Sequence, residues 1–369
     1  MLKSFSVKPC FMGRAANLGI PLAAIARCFA AASLMLYTLG LTGCGSSQQT
    51  TNSSGNTTSV ASSSAGDASK PKVVATSSVL CDVIQKIAQE TVDLTCLIPA
   101  GTDPHVYQAK PTDRKAIEQA KLILYNGYGF EPTLIKLIKA TQNSAPKIAV
   151  NEIAVPKPLK GEEHEHEAEA EKKGGKAEAE HDPGESNPHV WHNAQNGVRI
   201  VETVRDNLEK LSPSNATQYS SNAKKMTSEL TQLDSWIKSQ ISTIPANQRK
   251  LVTTHDAMGY YASAYGIPVE GALQGISTEE KPAAGRVKAL VQDLKKTGVP
   301  TIFPEATINP KLIAAVAKEA NVKVSKRELF ADGLGEKGSE GDTYEKMLIA
   351  NTKTVVEGLG GKYTPFQPK

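Results

Sequence analysis

The sequence has few aromatic residues and little net charge. Phe, Trp and Tyr make up 5% of its 369 residues, and 42 Lys and Arg against 38 Asp and Glu leave a formal net charge of +4. The basic residues are scattered and form no stripe interleaved with aromatics, which argues against a nucleic-acid partner. With 40% apolar and 22% charged residues, the chain is long enough for two soluble domains, each with a core of its own.

Long apolar runs are also scarce. The compact run at residues 28–41 follows a basic segment and ends in Leu41-Thr42-Gly43-Cys44. It is too short for a comfortable membrane span and is typical of an export signal. The final four residues resemble a bacterial lipobox, which predicts a signal peptide at residues 1–43 and a lipid anchor on Cys44, at the periplasmic or other extracytoplasmic face. The alternative is an ordinary signal peptide in which Cys44 is accidental.

Cysteine is rare as well, with five residues in the chain. Maturation at Cys44 would remove two of them and leave Cys81 and Cys96 as candidate disulfide partners in an oxidising compartment. The alternative, two small buried apolar residues, stays open because these cysteines fall on a predicted helix and the following strand, at an unknown distance.

The order of apolar segments predicts an α/β fold. Residues 44–70 are mostly Ser, Thr, Asn, Gly and Gln and are expected to be a flexible tether. Short apolar strands then alternate with helices, which implies parallel sheets flanked by helices. We predict two such lobes, at residues 71–212 and 245–369, joined by one long helix at 213–244. The acidic, His-rich segment 158–187 interrupts the first lobe as a predicted mobile loop.

The chain has no compact zinc-binding motif and no His-Glu-x-x-His stretch. Candidate ligands are therefore isolated residues in separate loops. His105 and His189 follow Asp103-Pro104 and Asn187-Pro188, and proline constrains the turns that present them. His255 and Asp332 each follow a predicted strand, where open α/β sheets bind ligands. Three imidazoles and a carboxylate could complete a tetrahedral zinc site.

The sequence resembles the zinc and manganese solute-binding proteins of ABC importers, the ZnuA-like and TroA-like group known as cluster A-I. Five separated motifs carry the resemblance: Gly101-Thr102-Asp103-Pro104-His105-Val106-Tyr107, Asn187-Pro188-His189-Val190-Trp191, Thr254-His255-Asp256-Ala257, Phe303-Pro304-Glu305 and Ala331-Asp332-Gly333-Leu334-Gly335. The resemblance implies a metal-binding lipoprotein that delivers its ion to a membrane permease, and it places the four ligands on His105, His189, His255 and Asp332. A monomer without enzymatic activity is expected.

The resemblance also bears on the metal and on supporting residues. Members associated with manganese commonly have Glu at the third ligand position, so His255 favours Zn²⁺, with Mn²⁺ as the alternative. Glu305 is a candidate to orient an imidazole. His192 departs from the family pattern and is expected to face solvent or to support the site. The histidines of the acidic segment, His164, His166 and His181, are candidates for weak zinc scavenging. A zinc-dependent hydrolase is the remote alternative.

Overall fold

The protein is described by a computed structural model over residues 70–161, 186–279 and 281–368. These residues belong to one compact unit. The fold is mixed α/β, with parallel sheets flanked by helices and one long helix, which confirms the predicted fold class. Within the described ranges, no helix is both long and apolar enough to cross a membrane.

The N-terminal half contains a parallel sheet of four short strands in the order β2-β1-β3-β4. The strands are β1 (Lys72–Ala75), β2 (Asp93–Cys96), β3 (Leu122–Tyr125) and β4 (Lys147–Ala149). The accompanying helices are α1 (Ser78–Ala88), α2 (Pro111–Gln119), α3 (Pro132–Ala140) and α4 (Val150–Ala154). Ser77 caps α1 by accepting a hydrogen bond from Leu80 N, and prolines occupy the first turns of α2 and α3.

The C-terminal half repeats this arrangement, with two of its strands only two residues long. It contains β5 (Leu251–Thr253), β6 (Val269–Ala272), β7 (Thr301–Ile302) and β8 (Lys323–Val324), which pair in parallel as β5-β6 and β7-β8. A parallel bridge between Thr253 and Phe303 joins the two pairs. The helices are α7 (Gly259–Tyr265), α8 (Ala284–Thr297) and α9 (Lys311–Ala320), each ended by a left-handed residue: Gly266, Gly298 or Asn321.

Two helices, α5 (Ala194–Leu211) and α6 (Ala216–Ser242), lie between the two sheets in sequence. A third, α10 (Tyr344–Gly358), follows the last strand. Helix α6 is the predicted long helix, preceded by a single 3₁₀ turn at Pro213–Asn215. It buries Leu230, Leu233, Ile237 and Ile241 along one face. It packs against α1, α5 and α10, and therefore contacts elements from both ends of the described part of the chain.

The apolar core differs from the expectation of one core per lobe. One cluster covers an outer face of the first sheet and a second covers an outer face of the second sheet. The largest cluster extends from Val73 of β1 through α5 and α6 to Phe303 and Val356 in the C-terminal half. The two halves thus share a central core. The lobe boundaries given above stay a prediction.

Cys81 and Cys96 form a disulfide, with their Cα atoms 5.9 Å apart. Cys81 lies in the first turns of α1 and Cys96 ends β2, where it is paired with Ala75 of β1. The alternative of two separate buried thiols is therefore wrong. The bond links α1 to the strand that leads into the His105 loop.

Candidate metal centre

His105 and His189 are presented by two turns built in the same way. Pro104 and Pro188 precede them, and in each turn the side chain two residues upstream accepts a hydrogen bond from the histidine N–H. Asp103 Oδ1 accepts from His105 N at 2.9 Å and Asn187 Oδ1 from His189 N at 3.0 Å. Such Asx turns fix the backbone of a loop that has no regular structure.

His255 is held by Glu305, from the neighbouring strand end. Glu305 Oε1 accepts from the backbone N–H of both Thr254 and His255 at 3.0 Å, and its Oε2 is hydrogen-bonded to His255 Nδ1. A carboxylate is an acceptor only, so Nδ1 carries a proton and Nε2 is the nitrogen that can bind a metal ion. His189 is fixed likewise, because its Nδ1 donates to Asn187 Oδ1 at 2.9 Å. Both imidazoles thus aim a basic nitrogen inward.

Asp332 lies in a loop after β8 that is tied to the N-terminal half. His192 Nε2 donates to the Ala331 carbonyl at 2.8 Å, and Ser78 Oγ accepts from Leu334 N at 2.9 Å. A Cβ at Gly333 would lie 2.7 Å from Ser78 Oγ, so any larger residue there would have to displace the Ser78 side chain, which accepts from Leu334 N. The loop that carries Asp332 is therefore bonded across the boundary between the halves.

The four candidate side chains converge in the interior. Nε2 of His189 lies 3.2 Å from Nε2 of His105 and 3.3 Å from Nε2 of His255. Asp332 Oδ1 lies 3.1 Å from His255 Nε2, 3.2 Å from His189 Nε2 and 3.5 Å from His105 Nε2. A tetrahedron whose corners are about 2.0 Å from its centre, the zinc–ligand distance, has edges of about 3.3 Å. Five of the six separations among the four atoms, at 3.1 to 3.5 Å, are close to these edges, and all four atoms lie within 4.8 Å of one another.

Burial makes this convergence unfavourable without a cation. His105 is 3% exposed, and His189 and His255 are fully buried. Burial lowers the pKa of His189 to about 3. Burial also opposes the charged form of His255, but Asp332 and Glu305 outweigh it and raise the His255 pKa, while His255 and the neighbouring imidazoles lower the pKa of Asp332. A divalent cation would balance the two buried carboxylates and let all three imidazoles stay neutral.

Aromatic rings form one wall of the centre. The Phe130 ring packs edge-on against His105 and His189, with centroids 5.1 and 5.6 Å away, and Trp191 packs against His189 at 5.5 Å. These contacts exclude water from one side of the imidazoles, which strengthens electrostatic interactions within the centre.

A further hydrogen bond near the centre joins the two halves of the chain. Thr278, in the loop after β6, donates from its hydroxyl to Asp103 Oδ2 at 2.6 Å. Asp103 therefore links the loop of His105 to the C-terminal half. This is the loop that leads to Arg286, whose guanidinium donates to the carbonyls of Ala272 and Leu273.

The structure brings together the four predicted ligands, with Glu305 bonded to His255 as described. His192 is buried and bonded to Ala331, and it contributes no atom to the cluster of four within the described residues. Cys44, His164, His166 and His181 lie outside the described residues. Sequence reasoning missed three supporting residues: Asn187, Asp103 and Thr307, whose hydroxyl donates to Asp332 Oδ2. The Asx-Pro-His pattern was the available signal for the first two.

A family model covers most of the chain. The family described as "ZnuA: Zinc-uptake complex component A periplasmic" matches residues 73–358. The chain belongs to this ZnuA-like family. The match includes both halves and all four converging side chains, and it confirms the resemblance inferred from the five motifs.

Curated relatives and solved structures extend the match. The metal ABC transporter substrate-binding lipoprotein SsaB of Streptococcus sanguinis is 32% identical over 80% of this chain and 91% of that protein. The manganese ABC transporter substrate-binding lipoprotein PsaA of Streptococcus mitis is 32% identical with the same coverage of both chains. The periplasmic zinc-binding protein TroA of Treponema pallidum superposes with a TM-score of 0.69 at 31% identity, covering 79% of this chain and 99% of TroA.

Proposed function

We propose that this chain is the extracytoplasmic zinc-binding component of an ABC metal importer, which captures the ion and delivers it to a membrane permease. The convergence of three imidazole nitrogens and one carboxylate oxygen within 4.8 Å of one another is the observation that carries the proposal. The ion is cargo, so a shell made wholly of protein atoms suits the task, whereas a hydrolytic zinc site keeps one position for water. SsaB and PsaA, the relatives described above, are both named as substrate-binding lipoproteins of ABC transporters.

Zinc is the first candidate because of the donor set. His105, His189 and His255 supply nitrogen and Asp332 supplies one oxygen, a combination that zinc accepts in tetrahedral geometry. Five of the six separations between the ligand atoms fit a zinc–ligand distance of about 2.0 Å. TroA, which has the same fold, is named for zinc.

Manganese is the second candidate, and the names of relatives favour it. PsaA of Streptococcus mitis is named as a manganese protein, and a Mn-bound periplasmic metal-binding protein from Candidatus Liberibacter asiaticus superposes with a TM-score of 0.63 at 26% identity, covering 78% of this chain and 99% of that one. Manganese prefers oxygen-rich shells with more ligands, which this cluster supplies less well.

Other parts of the chain complete the proposal. A lipid on Cys44 would hold the protein at the membrane surface beside the permease, as in the relatives named lipoproteins. Glu305 and His192 would support the ligands His255 and Asp332 through the bonds described above. The histidines of residues 162–181 would bind zinc weakly and raise its local concentration.

Competition between the two ions tests the proposal directly. Apo protein is given zinc and manganese together, and bound metal is measured by elemental analysis after desalting. We expect one tightly bound zinc per chain. His255→Ala should abolish that tight site in calorimetry, whereas His166→Ala, in the acidic segment, and deletion of residues 162–181 should preserve it. Zinc affinity that survives His255→Ala would refute the ligand set, and preferential manganese retention would select the second candidate.

A further inference from the structure

The two carboxylate oxygens of Asp332 have different partners. Oδ1 faces the three imidazole Nε2 atoms at 3.1 to 3.5 Å. Oδ2 accepts a hydrogen bond from the Thr307 hydroxyl at 3.1 Å. The Asp332 side chain is fully buried, so water does not compete for either oxygen.

Thr307 is in a rigid position to make this bond. It lies two residues after Glu305, in a turn closed by Ile308 N donating to Glu305 O at 3.3 Å, and Ala306 N donates to Leu329 O at 3.0 Å. The same short turn therefore holds His255 through Glu305 and Asp332 through Thr307. Because the backbone is bonded on both sides of Thr307, its hydroxyl reaches Asp332 Oδ2 from a backbone position that is itself held in place.

The number of Asp332 oxygens that face the cluster determines the number of ligands. With Oδ2 bonded to Thr307, Asp332 offers one oxygen and the shell has four protein atoms. With Oδ2 released, the carboxylate could turn and chelate with both oxygens, giving five. Zinc is satisfied by four ligands in a tetrahedron, whereas manganese favours larger, oxygen-richer shells.

We propose that Thr307 is a specificity-determining residue, whose hydroxyl restrains Asp332 to one ligand oxygen and so favours zinc over manganese. The inference rests on the proposed function, because it assumes that the four converging atoms bind the cargo ion. It assigns selectivity to a residue that touches no ion, acting through the orientation of a carboxylate.

Two substitutions at this position separate the hydroxyl from the shape of the side chain. Thr307→Val keeps the branched shape and removes the donor, and Thr307→Ser keeps the donor. Thr297→Val is the matched control, because Thr297 makes its hydroxyl bond to Asp293 O on the exposed surface of α8, away from the cluster. Thermal unfolding of the metal-free variants establishes that each one folds, and Thr307→Ala replaces Thr307→Val if the latter does not.

Two readouts are measured for each variant: the calorimetric dissociation constants for zinc and manganese, and the visible spectrum of the cobalt-substituted protein, which reports coordination geometry. We expect Thr307→Val to shift the zinc-to-manganese affinity ratio toward manganese by about tenfold or more, the scale of effects from residues that orient ligands. The cobalt spectrum should lose its four-coordinate character. Thr307→Ser and Thr297→Val should match the parent protein.

Failure of the Thr307 proposal and failure of the proposed function would give different results. An unchanged ratio and cobalt spectrum in Thr307→Val, or an equal loss of affinity for both ions, would overturn the role of Thr307 while the parent protein still binds one ion tightly. If the parent protein itself bound neither ion at this cluster, the proposed function would fail instead.

Discussion

Replacing Glu305 by glutamine puts an amide donor opposite the nitrogen that fixes the His255 tautomer. The amide oxygen can still accept from the backbone N–H groups of Thr254 and His255, as Glu305 Oε1 does. The amide nitrogen would then face His255 Nδ1, which at present donates to Glu305 Oε2. Two donors cannot bond, so the neutral His255 would change tautomer and carry its proton on Nε2, the nitrogen that faces the cluster.

The expected cost is a loss of metal affinity with little change in fold. Substituting a residue that orients a ligand typically lowers metal affinity by about 10- to 100-fold, or about 1.4 to 2.7 kcal/mol. Calorimetry of zinc binding at constant pH measures this change. Glu131→Gln is the matched control, because Glu131 is equally buried but accepts from Thr76 Oγ1 and Asn126 N. An affinity for Glu305→Gln within about threefold of the control would refute the tautomer argument.

Three further results are expected. The flanking carboxylates raise the pKa of His255, so zinc must displace a proton from this imidazole when it binds. Zinc affinity should therefore fall as the pH decreases, beginning above about pH 6.5, the ordinary pKa of histidine. Calorimetry should detect proton release on binding, and its absence near neutral pH would contradict this. Replacing Cys81 and Cys96 by serine removes a disulfide between residues 15 positions apart and should lower the free energy of unfolding by about 3 kcal/mol. Urea denaturation measures this loss, and an unchanged midpoint would disprove it. Thr278→Val removes the 2.6 Å hydrogen bond to Asp103 and should speed zinc release to a chelator about fivefold, measured by stopped flow. A change confined to the association rate would argue against a role for this bond in holding the two halves together around the ion.

The fold was predictable because its signals are local. Short apolar strands alternating with helices imply parallel sheets, and the spacing of Leu230, Leu233, Ile237 and Ile241 marks the long helix α6. The shared central core was not predictable, because periodicity shows which face of a helix is apolar but not which element covers it. Helix α10 illustrates this, since it contacts α1 and α6 from the opposite end of the chain.

The candidate site was predictable in its residues but not in its supports. The position of a histidine or aspartate at a strand end follows from the order of elements. The bonds that orient them join residues far apart in sequence, such as His192 with Ala331 and Thr278 with Asp103. Burial of His192 depends on the same long-range packing, and its burial lowers its pKa to about 4. No sequence pattern carries that information.

The shared central core bears on how the chain unfolds. Residues from β1 and from α10 pack into one apolar cluster through α6, so neither half can lose its structure without exposing apolar surface of the other. The described part of the chain should therefore melt as one cooperative unit and not as two. A fragment that ends after α6 would expose the surface that α10 now covers and would be prone to aggregate. An ion bound at the cluster should accordingly stabilise both ends of the described chain against unfolding, including the disulfide-linked α1.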